Sequence, residues 1–171
     1  MPHESHDIND FPSSLSQRIA SMSRGDLAQL RRFDAVETRA PAPLAFYRLA
    51  AEMFPEDWDR TLHNQRLWRC LVASMAIQPQ ERTDLPLGAA LAEAGISESR
   101  LERLLQAPEG SETLCSLWLR LVRHLAAKGV SFRWRDAMDL LFSTGERAEQ
   151  ARKRLAMSYY RTQHELAQQA A

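Results

Sequence analysis

Residues 23–50 read SRGDLAQLRRFDAVETRAPAPLAFYRLA. Asp26, at a Gly-Asp turn, starts a short helix that directs Leu27 and Leu30 inward, while Arg32 points away from that seam and Arg31 borders it. The loop through Pro41 and Pro43 ends this helix, because proline removes a donor and disfavours helix in the residue before it. A second helix follows, with Phe46, Tyr47, Leu49, Ala50 and Met53 as its buried face. Apolar residues recur at spacings of three and four with no sustained alternation. The expected fold class is therefore all-α.

The same period extends outward in both directions. Ser13 or Ser14 caps a first helix carrying Leu15, Ile19 and Met22, after a flexible tail over residues 1–14. PEDWDR forms a turn whose Asp59 caps a helix from Arg60 to Ile77, burying Leu62, Leu67, Trp68, Leu71, Val72 and Met75. Pro79 through Pro86 reads as a linker between two small helical lobes, residues 15–78 and 87–168. Beyond it, a helix from Leu87 to Ala94 stops at Gly95, and Ser97 caps another to Gln106. A long helix spans Glu112 to Lys128 and closes at Gly129. Two more cover Arg133 to Phe142 and Gly145 to Gln168, and the Ala/Gln-rich end frays.

Composition narrows the function classes. The 171 residues are 44% hydrophobic and 26% charged, a globular balance, and the formal net charge is zero. Any surface that attracts nucleic acid must then be local. Of 22 basic residues only Lys128 and Lys153 are lysines. Arginine grips phosphate with a planar fork and stacks on bases; a GC-rich genome produces the same bias. Cys70 and Cys115 stand alone among apolar residues, as buried free thiols of a reducing compartment do. No apolar run approaches the roughly 20 residues of a membrane span, and the acidic N-terminus is unlike a signal peptide. The expected location is cytoplasmic, with no membrane partner.

Charge is distributed unevenly along the chain. Between Asp84 and Glu112 acids outnumber Arg100 and Arg103. From Thr113 to Arg135 there is no acid, while Arg120, Arg123, Lys128, Arg133 and Arg135 are basic. On the long helix Leu114, Leu117, Leu121 and Leu125 share one face, with Arg120, Arg123 and His124 roughly opposite. A row of guanidinium groups without intervening carboxylates suits a phosphodiester backbone. Arg152-Lys153-Arg154 adds a second basic cluster. Trp68 and Trp118 belong to the core, whereas Trp134, between Arg133 and Arg135, is the exposed candidate for base stacking.

Two other chemistries find little material. LGAALAEAGISESRLERLL has the spacing of a helix-turn-helix, but Glu98 and Glu102 on the would-be recognition helix oppose DNA phosphates. A structural hairpin is the better reading, with a duplex-reading regulator over residues 87–106 and a helical protein-interaction scaffold as the alternatives. No metal site is expected, since His63, His124 and His164 lie far apart without ligand spacing. Neither a cofactor motif nor a catalytic one is present. Asp136 and Asp139, one turn apart, read as a solvated helix edge.

Four blocks occur in a particular order: GDLAQLRR, PAPLAFYRLA, LPLGAALAEAGISESRLERLL and LWLRLVRHLAAKGVSFRWRDAMDLLFSTGERAEQARKRLAMSYY. Together, over Leu15 to Tyr160, they resemble the CasB family, the small subunit of the type I-E CRISPR surveillance complex Cascade. The resemblance implies a non-catalytic, all-helical subunit that occurs as a pair with a second copy of itself. Its implied partners are the large and backbone subunits, the crRNA and the target DNA, which it contacts through their backbones while stabilising the opened strands. Carried over block by block, the implied nucleic-acid contacts are Arg31, Arg32 and Arg48, then Arg100 and Arg103, then Arg120, Arg123 and Lys128. Relatives often place a basic residue after the Gly of the LG-x-AL block; here Ala89 stands there, which removes that contact from the carry-over. In such complexes base pairing with the guide supplies sequence specificity and protein groups hold backbones.

Overall fold

The computed structural model describes residues 11–171. Among the described residues it contains nine helices and no named strand: α1 Phe11–Ala20, α2 Arg24–Arg32, α3 Leu44–Met53, α4 Leu62–Ile77, α5 Leu87–Glu93, α6 Glu98–Gln106, α7 Glu112–Ala127, α8 Trp134–Phe142 and α9 Gly145–Ala170. The fold is all-α. The expected tail over residues 1–14 lies outside the described residues for 1–10, while 11–14 are already helical. Pro12 is tolerated there because the first turn has no intrahelical use for its missing N–H.

Caps explain where most helices begin. Ser23 Oγ accepts from the Asp26 amide, so α2 starts at Arg24 rather than at Asp26. Thr61, not Asp59, caps α4, its hydroxyl accepting from Asn64 N at 3.0 Å. The helix therefore starts at Leu62, whose side chain faces solvent instead of entering the core as expected. Tyr47 is likewise outside the core: it sits at the edge of α3, with its hydroxyl 3.4 Å from the Ala42 amide. Ser97 occupies the N-cap of α6 but does not cap it, because its hydroxyl meets Ser99 Oγ instead. Gly95 and Gly129 end α5 and α7 at φ +73° and +68°, a left-handed conformation that disfavours other residues.

The buried residues of both halves of the chain form one apolar cluster running from Leu15 to Tyr159. Helix α4 packs on α1, α2, α7 and α8, and α9 packs along α5 and α8. Phe54 stacks on Trp68, with Phe46, Trp58, Phe11 and Phe142 edge-on around them. A second aromatic group joins Trp118, Phe132 and Trp134. Trp134 is fully buried there, which corrects the expectation of an exposed stacking residue. Neighbours on a helix are about 100° apart, so Arg133 and Arg135 can face outward while the residue between them faces the core. Gly88 lets α5 lie directly on α9, since a Cβ at this position would run into the Leu155 carbonyl and Ser158.

Residues 79–86, between α4 and α5, are fastened to the α7–α8 connection. Glu81 and Phe132 form a parallel β-bridge. Arg82 N donates to Phe132 O, Arg133 N to Leu85 O, and Gln78 Nε2 to Val130 O. The Glu81 carboxylate accepts from Trp134 N at 3.0 Å, which supplies the start of α8 with a cap.

Candidate nucleic-acid interface

Helices α6 and α7 are held at the angle that defines the site by their apolar faces. Leu101 and Leu104 turn α6 inward, and Leu114, Trp118, Leu121 and Leu125 do the same for α7. Arg100 and Arg103, three apart on α6, are left on the side facing α7. Arg120 stands on the corresponding side of α7. Between them runs a groove of about 400 Å³ lined by Arg100, Arg103, Leu117, Arg120, Leu121 and His124. Guanidinium groups therefore rise on both walls, and the two leucines supply apolar surface between them.

No carboxylate lines this groove. Glu102 on α6 instead accepts from Gln106 Nε2 at 3.0 Å. The three arginines are exposed, and their side chains make no hydrogen bond or ion pair among the described residues. His124 departs from the expectation that it faces away from the leucine row. It is half-buried, and its Nε2 lies 2.9 Å from the Ala94 carbonyl at the end of α5. Arg123 and Lys128 are exposed further along α7 but do not line the groove.

The other arginines named from sequence lie elsewhere. Arg31 Nε donates to the Ala76 carbonyl at 2.6 Å, closing the last turn of α4. A cation at this position also complements the helix dipole. Arg48 pairs with Asp26 at 2.7 Å across α2 and α3. Arg32 is exposed and unpaired among the described residues.

Three further arrangements emerge from the fold. Arg69 is buried, with its Nη1 donating to Ala40 O at 2.9 Å, its Nη2 to Asp34 O at 2.8 Å, and its guanidinium over the Phe33 ring. Arg66 similarly reaches Val36 O and pairs with Glu112 at 2.9 Å. These two arginines of α4 hold the loop between α2 and α3 by its carbonyls. Around α8, Arg133 pairs with Asp136 at 3.0 Å, and Arg135 and Arg154 flank Asp139 at 3.3 and 3.6 Å. The second basic cluster is thus partly neutralised, whereas the α6–α7 groove is not. The only sequence signal for this difference is the position of the acids.

Among the described residues no group of three or more His, Cys, Asp or Glu side chains could hold a metal ion. No helix there is long and apolar enough to cross a membrane. Cys70 and Cys115 are both buried and free, and burial pushes the Cys70 thiol well above its ordinary value.

Fold and groove define an all-helical protein that gathers guanidinium groups from two helices around an apolar floor. The family model of CRISPR-associated protein Cse2 matches residues 26–160, and the chain belongs to this family. It is the family that the four sequence blocks resemble. Among solved structures, a chain in the crystal structure of E. coli Cascade bound to a PAM-containing dsDNA target shares the fold. The TM-score is 0.65 and the identity 24%, covering 90% of this chain and 96% of that one. Comparison with curated proteins finds no match.

Proposed function

We propose that this chain is the non-catalytic small subunit of a type I-E CRISPR surveillance complex, and that its α6–α7 groove holds a nucleic-acid backbone. One observation carries the reading: Arg100, Arg103 and Arg120 converge on a groove that no carboxylate lines. In such a site phosphates replace water around guanidinium groups that have no internal partner, and the gain is electrostatic and independent of sequence. Leucine surface between the arginines also accommodates the faces of unstacked bases. Arg123 and Lys128 extend the cationic surface along α7.

Arg31, Arg32 and Arg48 form the second proposed contact region, on α2 and α3. Arg32 is the member with no structural duty there. The partners in this reading are the crRNA, the target DNA, the large and backbone subunits and a second copy of the chain, and the protein is cytoplasmic. The resemblance to the Cascade chain supports it through shared fold, and membership of the Cse2 family through sequence.

The test is reconstitution. A complex assembled from the remaining subunits and crRNA should bind target DNA less tightly than one that also contains this chain. Addition of the purified chain should restore binding, and it should leave both DNA strands uncut. Equal binding with and without the chain would remove the reading, and so would operator-specific binding by the chain alone.

A further inference from the structure

We infer that a strand occupying the α6–α7 groove is bound together with a proton, taken up on His124 Nδ1. This rests on the reading of the groove as a backbone site and adds a member to it. A carbonyl oxygen only accepts, so the 2.9 Å contact with Ala94 O requires the hydrogen to sit on His124 Nε2. A neutral ring then carries its lone pair on Nδ1, the nitrogen left without a partner, and His124 is one of the residues that line the groove. A lone pair facing a phosphate oxygen is repulsive; a proton there converts the contact into a charge-assisted hydrogen bond. The imidazole can accept it because the Ala94 contact uses only one nitrogen and survives protonation.

The surroundings leave this role to a phosphate. From α6 the groups that line the groove with His124 are Arg100 and Arg103, from α7 itself Arg120, and from α5 the Ala94 carbonyl. No carboxylate is among them to hold a protonated imidazole in the empty groove. An incoming phosphate is the first negative charge His124 meets there. Imidazole is also the side chain whose charge changes nearest neutral pH, so the coupling acts under ordinary conditions. The sign follows from linkage. The bound state holds more protons than the free state, so affinity is highest at low pH and falls as the pH rises.

The probe is a fluorescein-labelled oligodeoxythymidylate, whose bases do not titrate near neutrality, bound to the full chain at constant low ionic strength. Anisotropy titrations should show Kd falling as the pH drops from about 8.5 to about 5.5, by at most about tenfold per pH unit. Calorimetry in two buffers of different ionisation enthalpy should give net proton uptake by the wild-type protein, a measurement that needs no variant. His124→Gln keeps a donor for the Ala94 carbonyl, and it should bind with the weaker, high-pH affinity throughout. Arg100→Ala should weaken binding at every pH. Absence of proton uptake, or a pH dependence that persists in His124→Gln, overturns the inference, and the groove reading stands if Arg100→Ala still weakens binding. Loss of all binding by the wild-type chain at every pH overturns both.

Discussion

Asp136 of α8 accepts a 2.9 Å hydrogen bond from the backbone amide of Leu87, the first residue of α5. Pro86, at the N-cap of α5, offers no side-chain acceptor, so the cap comes from a different helix. The other carboxylate oxygen receives Arg133 Nε at 3.0 Å. In the sequence Asp136 and Asp139 read as an acidic pair one helical turn apart on a solvated edge. In the fold, Asp136 caps one helix and ties down an arginine of its own.

Asp136→Ala should therefore lower stability by about 1–2 kcal/mol, the usual size of a lost helix cap. Asp136→Asn, which keeps an acceptor for the Leu87 amide, should recover part of this. Urea unfolding followed by circular dichroism measures both. A variant as stable as the wild type would mean that water replaces the carboxylate at no cost.

Gly88→Ala should be more damaging than its one methyl group suggests. The added carbon meets Leu155 O and Ser158 Oγ, so α5 must move off α9. Overpacking of this kind costs about 1–3 kcal/mol. Ser158→Ala in the same chain should give little relief, because the Leu155 backbone carbonyl remains in the way. Thermal unfolding of the single and double variants is the check.

Two arginines separate structural from functional charge. Arg32→Ala should change stability by no more than about 0.5 kcal/mol, as exposed sites generally do. Arg69→Ala, which strands the Asp34 and Ala40 carbonyls beneath the loop, should cost about 2–4 kcal/mol. The expected binding effects run the other way, with Arg32→Ala impairing formation of the target-bound complex. A large drop in melting temperature for Arg32→Ala with normal binding would assign it a structural role instead.

Replacing Arg100, Arg103 and Arg120 together by Ala should leave the far-ultraviolet spectrum intact and flatten the salt dependence of DNA binding by the assembled complex. Each lost phosphate contact should remove a little under one unit from the slope of log K against log salt, less on a single strand. The triple Arg123, Lys128 and Arg120 variant should do so by a smaller amount, since only Arg120 lines the groove. An unchanged slope would exclude the groove.

The helices were legible because period, proline and glycine are local signals. Gly95 and Gly129 end helices where the sequence says they should, and Leu30, Leu71 and Leu125 are buried as their spacing implies. The misread caps have a common cause: Asp59, Thr61 and Ser97 are all competent residue types, and only the path of the preceding loop decides which hydroxyl or carboxylate meets a free amide. Trp134 was misread because two flanking arginines describe the chain and not the side of the helix. The groove members were named, but that Arg100 and Arg103 share a cleft with Arg120 depends on how α6 docks on α7. Arg69 was illegible altogether, since nothing local distinguishes a buried guanidinium from an exposed one.

The strap that joins the α4–α5 connection to the start of α8 has a kinetic consequence. Its Gln78 and Glu81 hydrogen bonds span sequence separations of 52 and 53 residues, in a fold whose helices otherwise form from near neighbours. Local helical contacts assemble quickly, whereas closing a long loop must wait for the entropy of the intervening chain to be overcome. This closure, like the docking of α9 on α5, should then come late in refolding, and a few residues of a connecting segment would help to set how soon a newly made chain is ready to assemble.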